Sequence, residues 1–395
     1  MTHYVRPLCD KTIAALTKAD PLLRYGATPV AADNISTHVL VIGAGVQGCI
    51  TALKLVETGA SVILLELANE PLTEASSKLE GWLHHGTYHA AMATTAEQAL
   101  RATSDCLGGA AWYREHFADC ISSTPAIALT NSRNPKELEY RWAESGVDFS
   151  GIADLSQLYD YVSAGVVSAA YQVPDASIDV DTLREALARR LQVSGVQTMY
   201  GVRNIKRISS NTVSILNATS HKVTIYARTV VLATGIYSNQ TLHRLGVSHE
   251  LRFRLWRSHL LQTPRLNHAP LLFYVDYDKP SLFPQGLSSL IGLNSDNQPI
   301  ASTTDPANEH VMARFTDSFK SHFGPLYSDS DVSLRACYKV DIGGPRSPRS
   351  VGIFVQQLEK NVWLHLPGKM TTAPVASDRL RVALDRANRL GAAHK

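Results

Sequence analysis

The chain has 395 residues, 45% of them hydrophobic and 18% charged, with a formal net charge of +3 at pH 7. That balance excludes extensive disorder, and the lack of a long Lys/Arg run excludes the electrostatic footprint of a nucleic-acid binder. No apolar run reaches the roughly 20 residues that cross a bilayer, so no transmembrane segment is expected and contact with a membrane surface is the most the sequence allows.

Five cysteines, Cys9, Cys49, Cys106, Cys120 and Cys337, form an odd set without C-x-x-C spacing. They argue against a disulfide framework and against a metal site, and for a reducing, cytoplasmic location.

Length suggests two connected domains, or one cofactor domain with large insertions. Residues 1–36 read as an extension, with a short helix before about residue 25 and a linker punctuated by Gly26, Pro29 and Asn34. The main fold is expected to start at Thr37. His38–Ile42 (HVLVI) is a continuous apolar run, Ala44–Glu57 carries helix formers, and Ala60–Glu66 (ASVILLE) is apolar again, which together make a βαβ unit. Over Asp179–Ser194 the leucines Leu183, Leu187 and Leu191 share one helical face, and Gly195 stops the helix. Short strands are expected over Val196–Tyr200, Val202–Ile208, Val213–Leu216, Val223–Tyr226 and Thr229–Leu232, the last leading into Ala233-Thr234-Gly235.

From Leu251 to about Arg335 a strand-rich pattern punctuated by Pro and Gly predicts an antiparallel sheet facing the substrate. Val362–Leu366, then Pro367-Gly-Lys-Met-Thr-Thr372, then Val375–Leu390 read as strand, glycine turn and helix.

Gly43-Ala44-Gly45-Val46-Gln47-Gly48 sits between the first strand and its helix, with Glu66 at the end of the second strand. Each part has a physical task in holding a dinucleotide. Gly43 permits the tight turn, Gly45 lets the backbone approach a pyrophosphate, and Gly48 lets the helix pack on the sheet. The helix N-terminus offers N–H groups and partial positive charge to phosphate, and Glu66 can accept hydrogen bonds from a ribose diol. The fold class expected is α/β, α+β overall: a Rossmann-like cofactor domain with an inserted, mainly antiparallel β-sheet substrate domain. The cofactor domain is discontinuous over 37–115, 171–247 and 336–395, and the substrate domain takes 116–170 and 248–335.

Between His38 and His89 the sequence resembles the amine/hydroxy-acid oxidoreductase superfamily of flavoproteins, the D-amino acid oxidase-like class, and this favours FAD as cofactor. Ser76-Ser77-Lys78 and Gly81-Trp82-Leu83-His84-His85-Gly86 are similar to its second FAD-contacting segment, a Ser-rich turn followed by an I-H-x-G stretch beside the flavin. Ala233-Thr234-Gly235 resembles a later flavin-contacting motif, and Val202, which opens an expected strand, is counted with the cofactor contacts.

Three further segments are similar to the branch of glycerol-3-phosphate dehydrogenase and L-2-hydroxyglutarate dehydrogenase: Arg252–Arg265, Leu290–Asp296, and Pro367-Gly368-Lys369-Met370-Thr371-Thr372. Tyr88, Trp256 and Arg257 depart from the pattern where that branch would hold phosphate, which weighs against glycerol phosphate as substrate.

The resemblance implies oxidation of a CH–OH or CH–NH centre of a small anionic substrate, with hydride passing to flavin N5 and a carrier, oxygen or quinone reoxidising the cofactor. Such chemistry needs a proton acceptor and positive charge near the reacting centre. His84 and His259 are the histidines at motif positions, with His85 and His89 less supported. Arg335 lies where the resemblance places an anion ligand, its planar fork suiting a carboxylate or phosphate. Lys369, with Gly368, Met370 and Thr371 before a helix, can bring charge and backbone N–H groups to the flavin.

Cys337 lies near the region where some relatives tether FAD, the alternative being a small buried core residue. Two other readings stand beside the leading one: an amine or amino-acid oxidase that makes peroxide, and a dinucleotide-binding protein without turnover.

Overall fold

The structure is a computed structural model that describes residues 33–266, 269–304, 310–328, 332–344 and 349–393. The helix and most of the linker expected before Asn34 lie outside the described residues. In chain order the strands and helices are β1 (Asn34–Ile42), α1 (Val46–Val56), β2 (Val62–Leu65), β3 (Trp82–Leu83), α2 (Thr87–Met92), α3 (Ala96–His116), β4 (Ala126–Thr130), α4 (Pro135–Glu144) and β5 (Ser150–Gly151). Next come β6 (Ala169–Val173), β7 (Ala176–Ser177), α5 (Val180–Ser194), β8 (Gln197–Met199), β9 (Asn204–Ser209), β10 (Thr212–Leu216), β11 (Lys222–Leu232), α6 (Ser238–Arg244) and β12 (Phe253–Pro264). The chain continues through β13 (Leu272–Tyr274), β14 (Pro280–Gln285), β15 (Ser288–Leu293), β16 (Gln298–Ile300), α7 (Val311–His322), β17 (Ser333–Ile342), β18 (Phe354–Glu359), β19 (Val362–Leu366) and α8 (Ala373–Ala393).

Two compact units result. The first takes the segments up to Thr73, Arg184–His249 and Val355–His365; the second takes Glu74–Leu183, Glu250–Phe354 and Leu366 onward.

In the first unit an eight-stranded sheet has the order β18-β19-β11-β1-β2-β8, with β10 and β9 continuing from β11 as an antiparallel meander. The pairs β11–β1, β1–β2, β2–β8 and β11–β19 are parallel. Strands covered on both faces read as unbroken apolar runs rather than alternations. Leu40, Val41 and Ile42 of β1, and all of β2, are buried. The two strands expected over 223–232 are one long strand, β11, and Val202 precedes β9 rather than opening it.

α5 starts where expected because the Asp179 side chain accepts the Thr182 N–H at 2.7 Å, an N-cap, and Gly195 with φ +85° ends it. Leu183, Leu187 and Leu191 are fully buried.

In the second unit a nine-stranded sheet has the order β16-β12-β15-β14-β13-β4-β6-β5, with β17 on β12. It is antiparallel throughout except for β13 beside β4. Alternation at period two sorts its residues between two cores. Leu260, Phe273, Phe283, Leu290 and Tyr171 join Trp82 and Trp142 on one face. Leu261, Leu272, Leu282, Ile291 and Ala170 join Phe315, Phe319 and Phe323 on the other.

That second face carries the main departure from the expected strand-rich region, because residues 311–322 form the helix α7. Its signal is Val311, Phe315, Phe319 and Phe323 at intervals of four, which outweighs the surrounding Pro and Gly.

The units are also cut differently from the expected domains: residues 74–115, 171–183, 336–354 and those from Leu366 on belong with the antiparallel sheet. One physical reason is local. A Cβ on Gly109 of α3 would stand 1.9 Å from the Thr371 carbonyl oxygen, so α3 and the turn before α8 are packed backbone to backbone.

Replacing fully buried Phe315 by Ala leaves a ring-sized hole under the sheet. Denaturant titration should show a loss of about 3–5 kcal/mol, and an unchanged midpoint would contradict the packing described.

Candidate active site

In the first unit the glycine turn is shaped by close backbone approach. Gly43 has φ +102°, and a Cβ there would fall 2.7 Å from the Ala233 carbonyl oxygen; a Cβ on Gly48 would fall 1.7 Å from the Gly43 carbonyl oxygen. Gly45 is the N-cap of α1 and contributes no side-chain cap, so the helix begins with backbone alone.

Glu66 follows β2 directly. Its carboxylate accepts the Ala44 N–H at 2.7 Å and the Ala68 N–H at 3.0 Å, while its carbonyl oxygen accepts the Val202 N–H at 3.0 Å. Ala233 donates its N–H to the Ile42 carbonyl oxygen at 2.9 Å, which brings Ala233-Thr234-Gly235 beside the turn. The structure therefore gathers Gly43–Gly48, Glu66, Val202 and Ala233–Gly235 into one cradle. Behind it, Gln47 donates to the Thr51 hydroxyl at 2.9 Å and lies 3.3 Å from His365 Nδ1. A turn of main chain at a helix start, with an acid at the end of the next strand, fits a dinucleotide.

In the second unit two turns are stapled together. The His84 N–H donates to the Thr371 hydroxyl at 3.1 Å, and that hydroxyl donates to the Trp82 carbonyl oxygen at 3.1 Å. The Tyr113 hydroxyl donates to the Met370 carbonyl oxygen at 3.1 Å, and Gly368 (φ +76°) would, with a Cβ, meet the Val351 carbonyl oxygen at 2.2 Å. Gly81 (φ +67°) is likewise closed against Gln285 and Ile178. Trp82, Leu83, His84 and Gly368–Thr371 are thus held as one group.

Ser76, Ser77 and Lys78 form a short turn at its approach, where Lys78 pairs with Glu74 at 3.4 Å on the surface. Such an exposed pair is worth little.

Part of the charge around this group comes from β17. Arg335, Cys337, Lys339 and Asp341 pair across to Leu260, Ser258, Trp256 and Arg254 of β12, so all four share the sheet face of Leu260 and Trp82. Lys339, Lys369 and Arg349 all act on Glu80 through their charge. Burial acts against the Glu80 carboxylate, but Lys339, a backbone hydrogen bond, and then Lys369 and Arg349 outweigh it and hold the group below the ordinary range. Among the described residues none of the three has an ion pair within 4 Å, and Arg349 Nε is buried without a hydrogen bond. Arg335 turns one guanidinium N–H to the Leu79 carbonyl oxygen at 2.9 Å.

Burial, then Arg349, lowers Lys369 to about 7. His84 stacks on Trp82 with ring centroids 4.1 Å apart, and the His89 ring lies tilted by 50° to it with centroids 4.7 Å apart. Burial first, and Lys369 next, push both imidazoles well below their usual value, so both are neutral. His84 Nδ1 and His89 Nε2 are buried without a partner. Burial and then Arg114 bring His85 down to about 4.

His259 is not among these residues. By the alternation of β12 it faces α7 with Leu261, where its Nδ1 lies 3.0 Å from Asp296, and Asp296 also pairs with Arg314. Cys337 is buried, and burial raises its thiol.

Glu80, Lys339 and Arg349 were not foreseen, nor was Asp175, a buried carboxylate between β6 and β7. Lys339 and Asp341 continue the period-two stripe that Arg335 and Cys337 begin, which is a readable signal. The other three stand alone in turns and carry none.

The sequence pattern of the family described as FAD dependent oxidoreductase (DAO) matches residues 38–377. No curated protein matches the sequence. Among solved structures, dithionite-reduced L-alpha-glycerophosphate oxidase from Mycoplasma pneumoniae with FAD bound is similar with a TM-score of 0.68 at 16% identity, over 89% of this chain and 95% of that one. Glycine oxidase from Geobacillus kaustophilus gives 0.67 at 16%, over 90% and 95%. L-proline dehydrogenase from P. horikoshii gives 0.67 at 13%, over 87% and 92%. At these identities the likeness is one of fold, and it agrees with the parallel-containing sheet and the largely antiparallel second sheet described above.

Gly48→Ala would place its methyl carbon inside bonding distance of a backbone oxygen. Purified in the same way as the parent, this variant should carry less than a tenth of the parent's flavin absorbance near 450 nm, on the order expected when a close backbone approach is lost; full absorbance would refute the cradle.

Proposed function

Because the chain belongs to the family of FAD-dependent oxidoreductases, we propose that it oxidises a CH–OH or CH–NH centre in a small anionic molecule held at the Lys339–Arg349–Lys369 cluster. Its cofactor is FAD and it is an enzyme, so the reading without turnover falls. The observation that carries the proposal is positive charge without an ion pair: among the described residues Lys339 and Arg349 have none within 4 Å, only the fields of Glu80 and Asp341 acting on Arg349, and two neutral histidines have unpaired ring nitrogens. A buried cation without a partner is costly unless a ligand supplies one.

The first unit would hold the cofactor's diphosphate at Gly43–Gly48 and a ribose at Glu66. The second would border the flavin with Trp82–His84 and Gly368–Thr371. Bound FAD supplies the two-electron acceptor for the substrate's C–H hydride. Lys339 and Arg349 hold the anionic group by charge-assisted hydrogen bonds, and Arg335 adds to the positive field.

Lys369, poised near neutrality, takes the proton from the O–H or N–H as its neutral amine. His84 and His89 stay uncharged and orient the reacting group through their open ring nitrogens. Glu80 favours the amine version of the reading, because a carboxylate among the cations can pair with a substrate ammonium. Four buried free thiols, Cys49, Cys106, Cys120 and Cys337, support a reducing, cytoplasmic location.

Anaerobic bleaching of the flavin by hydroxy acids, polyol phosphates and amino acids sorts the substrate, and peroxide release in air identifies an oxidase. Lys339→Met and Arg349→Met should each raise the half-saturating concentration ~30-fold or more, the cost of leaving a buried charge unpaired. A neutral substrate bleaching best, with these variants unaffected, overturns the reading.

The bleaching rate should rise with pH through about 7, because the neutral amine of Lys369 exists above its pKa. Lys369→Met should lose that rise and fall ~10²–10⁴-fold, and a pH profile like the parent's removes Lys369 as base.

A further inference from the structure

We propose that Asp175 is a positioning residue, which fixes the Trp82–Thr87 turn and, through the Trp82 ring, aims the His84 imidazole. The inference rests on the reading of His84 as a site residue. Asp175 lies between β6 and β7 and is 1% exposed. One of its oxygens, Oδ1, accepts the Trp82 indole N–H at 2.9 Å and the His85 N–H at 3.3 Å, and Oδ2 pairs with the Thr87 hydroxyl. Both groups at Oδ1 can only donate. A proton on this carboxyl can therefore reside only on Oδ2, shared with Thr87.

An apolar side chain would fill such a place at lower cost, since a buried carboxylate loses its hydration. Burial raises the group to about 6 even against the hydrogen bonds made to it. What the carboxylate gains in exchange is geometric. It ties down three positions of one six-residue turn, Trp82, His85 and Thr87, which flank His84 on both sides.

Trp82 is the link to the chemistry. Its indole lies nearly parallel to the His84 ring, 4.1 Å away and 29° tilted, so the plane of the indole sets the plane of the imidazole. The labour is divided: Thr371 holds the main chain of Trp82 and His84, and Asp175 holds the ring on which His84 rests. The turn has no slack on its other flank. Gly86 has φ +96°, and a Cβ there would come 2.7 Å from Thr103. Arg114 closes the outside, donating to the Pro174 carbonyl oxygen at 2.8 Å and to His85 Nε2 at 3.4 Å.

The test uses FAD-loaded enzyme with isotope-labelled histidine and tryptophan, the His84 and Trp82 ring resonances being assigned by their loss in His84→Gln and Trp82→Phe. The indole ring current holds the His84 Cε1–H upfield. In Asp175→Leu, which keeps the size of the side chain and removes both acceptor oxygens, that resonance should move downfield and the Trp82 indole N–H should move upfield. Trp82→Phe should move His84 in the same sense as Asp175→Leu, and the double variant should leave it where Trp82→Phe alone does. A His84 resonance unmoved in Asp175→Leu overturns the proposal, and so does a double variant whose shift is the sum of the two singles.

Should Asp175→Leu fail to fold, Thr87→Val removes only the Oδ2 partner; it should give a smaller shift in the same direction, and no shift counts against the proposal. With a bleaching substrate, Asp175→Leu should slow the reaction ~10–100-fold at saturation and leave the half-saturating concentration unchanged, as misplacement by a fraction of an ångström does. If His84→Gln bleaches like the parent, the role given to His84 is lost, while the ring resonances still decide whether Asp175 aims it.

Discussion

Like charges do not gather in a half-buried place without something to hold them there. Lys339, Arg349 and Lys369 do so around Glu80, and burial first, then their mutual repulsion, shows in what happens: Lys369 comes down to about 7, and both neighbouring histidines lose their charge. The fold has to supply the restraint that solvent would otherwise provide. Lys339 is held by the ladder of β17 on β12. Arg349 is held by its neighbour, because the Ser350 N–H donates to Asp341 at 2.6 Å. Lys369 sits in a turn closed by Gly368 against Val351 and by Thr372, whose hydroxyl donates to the Pro367 carbonyl oxygen at 2.6 Å.

Asp341 is the counterpart of Asp175. It is a buried carboxylate with several donors: Arg254 through Nε at 2.9 Å, the Trp256 indole at 3.0 Å and the Ser350 backbone. Burial would raise it, yet these hydrogen bonds keep it below the usual carboxylate range. The two acids divide the second unit's polar framework between them. Asp341 anchors the segment that carries an arginine to the cluster, and Asp175 anchors the turn that carries the histidines. Neither is counted with the reacting groups, and both bring reactive side chains to a defined place.

What could be read from the sequence followed from how local each feature is. The glycine turn of the first unit is contiguous, with strand, turn, helix and acid following one another within 34 residues (34 to 67), so its pattern was legible without any knowledge of tertiary contacts. α5 was legible for the same reason, having a leucine face, a capping aspartate and a terminating glycine. The second unit is different. Whether His259 faces the histidine turn or α7 depends on strand parity and on which core each face meets, neither of which a single strand discloses. Asp175 and Glu80 are lone carboxylates whose partners lie far along the chain or in turns, and nothing in their immediate neighbours marks them. α7 was obscured by composition, as the prolines and glycines around it outweighed four regularly spaced apolar residues to the eye.

The stripe on β17 has an evolutionary corollary. Because successive side chains of a strand point to opposite faces, inserting or deleting one residue between Ser333 and Arg335 would exchange the whole set at a stroke. Arg335, Cys337, Lys339 and Asp341 would be driven into the apolar layer formed with α7, and Leu334, Ala336, Tyr338 and Val340 would take their place. Drift in this strand is therefore confined to substitution, because a register shift of a single position is all or nothing.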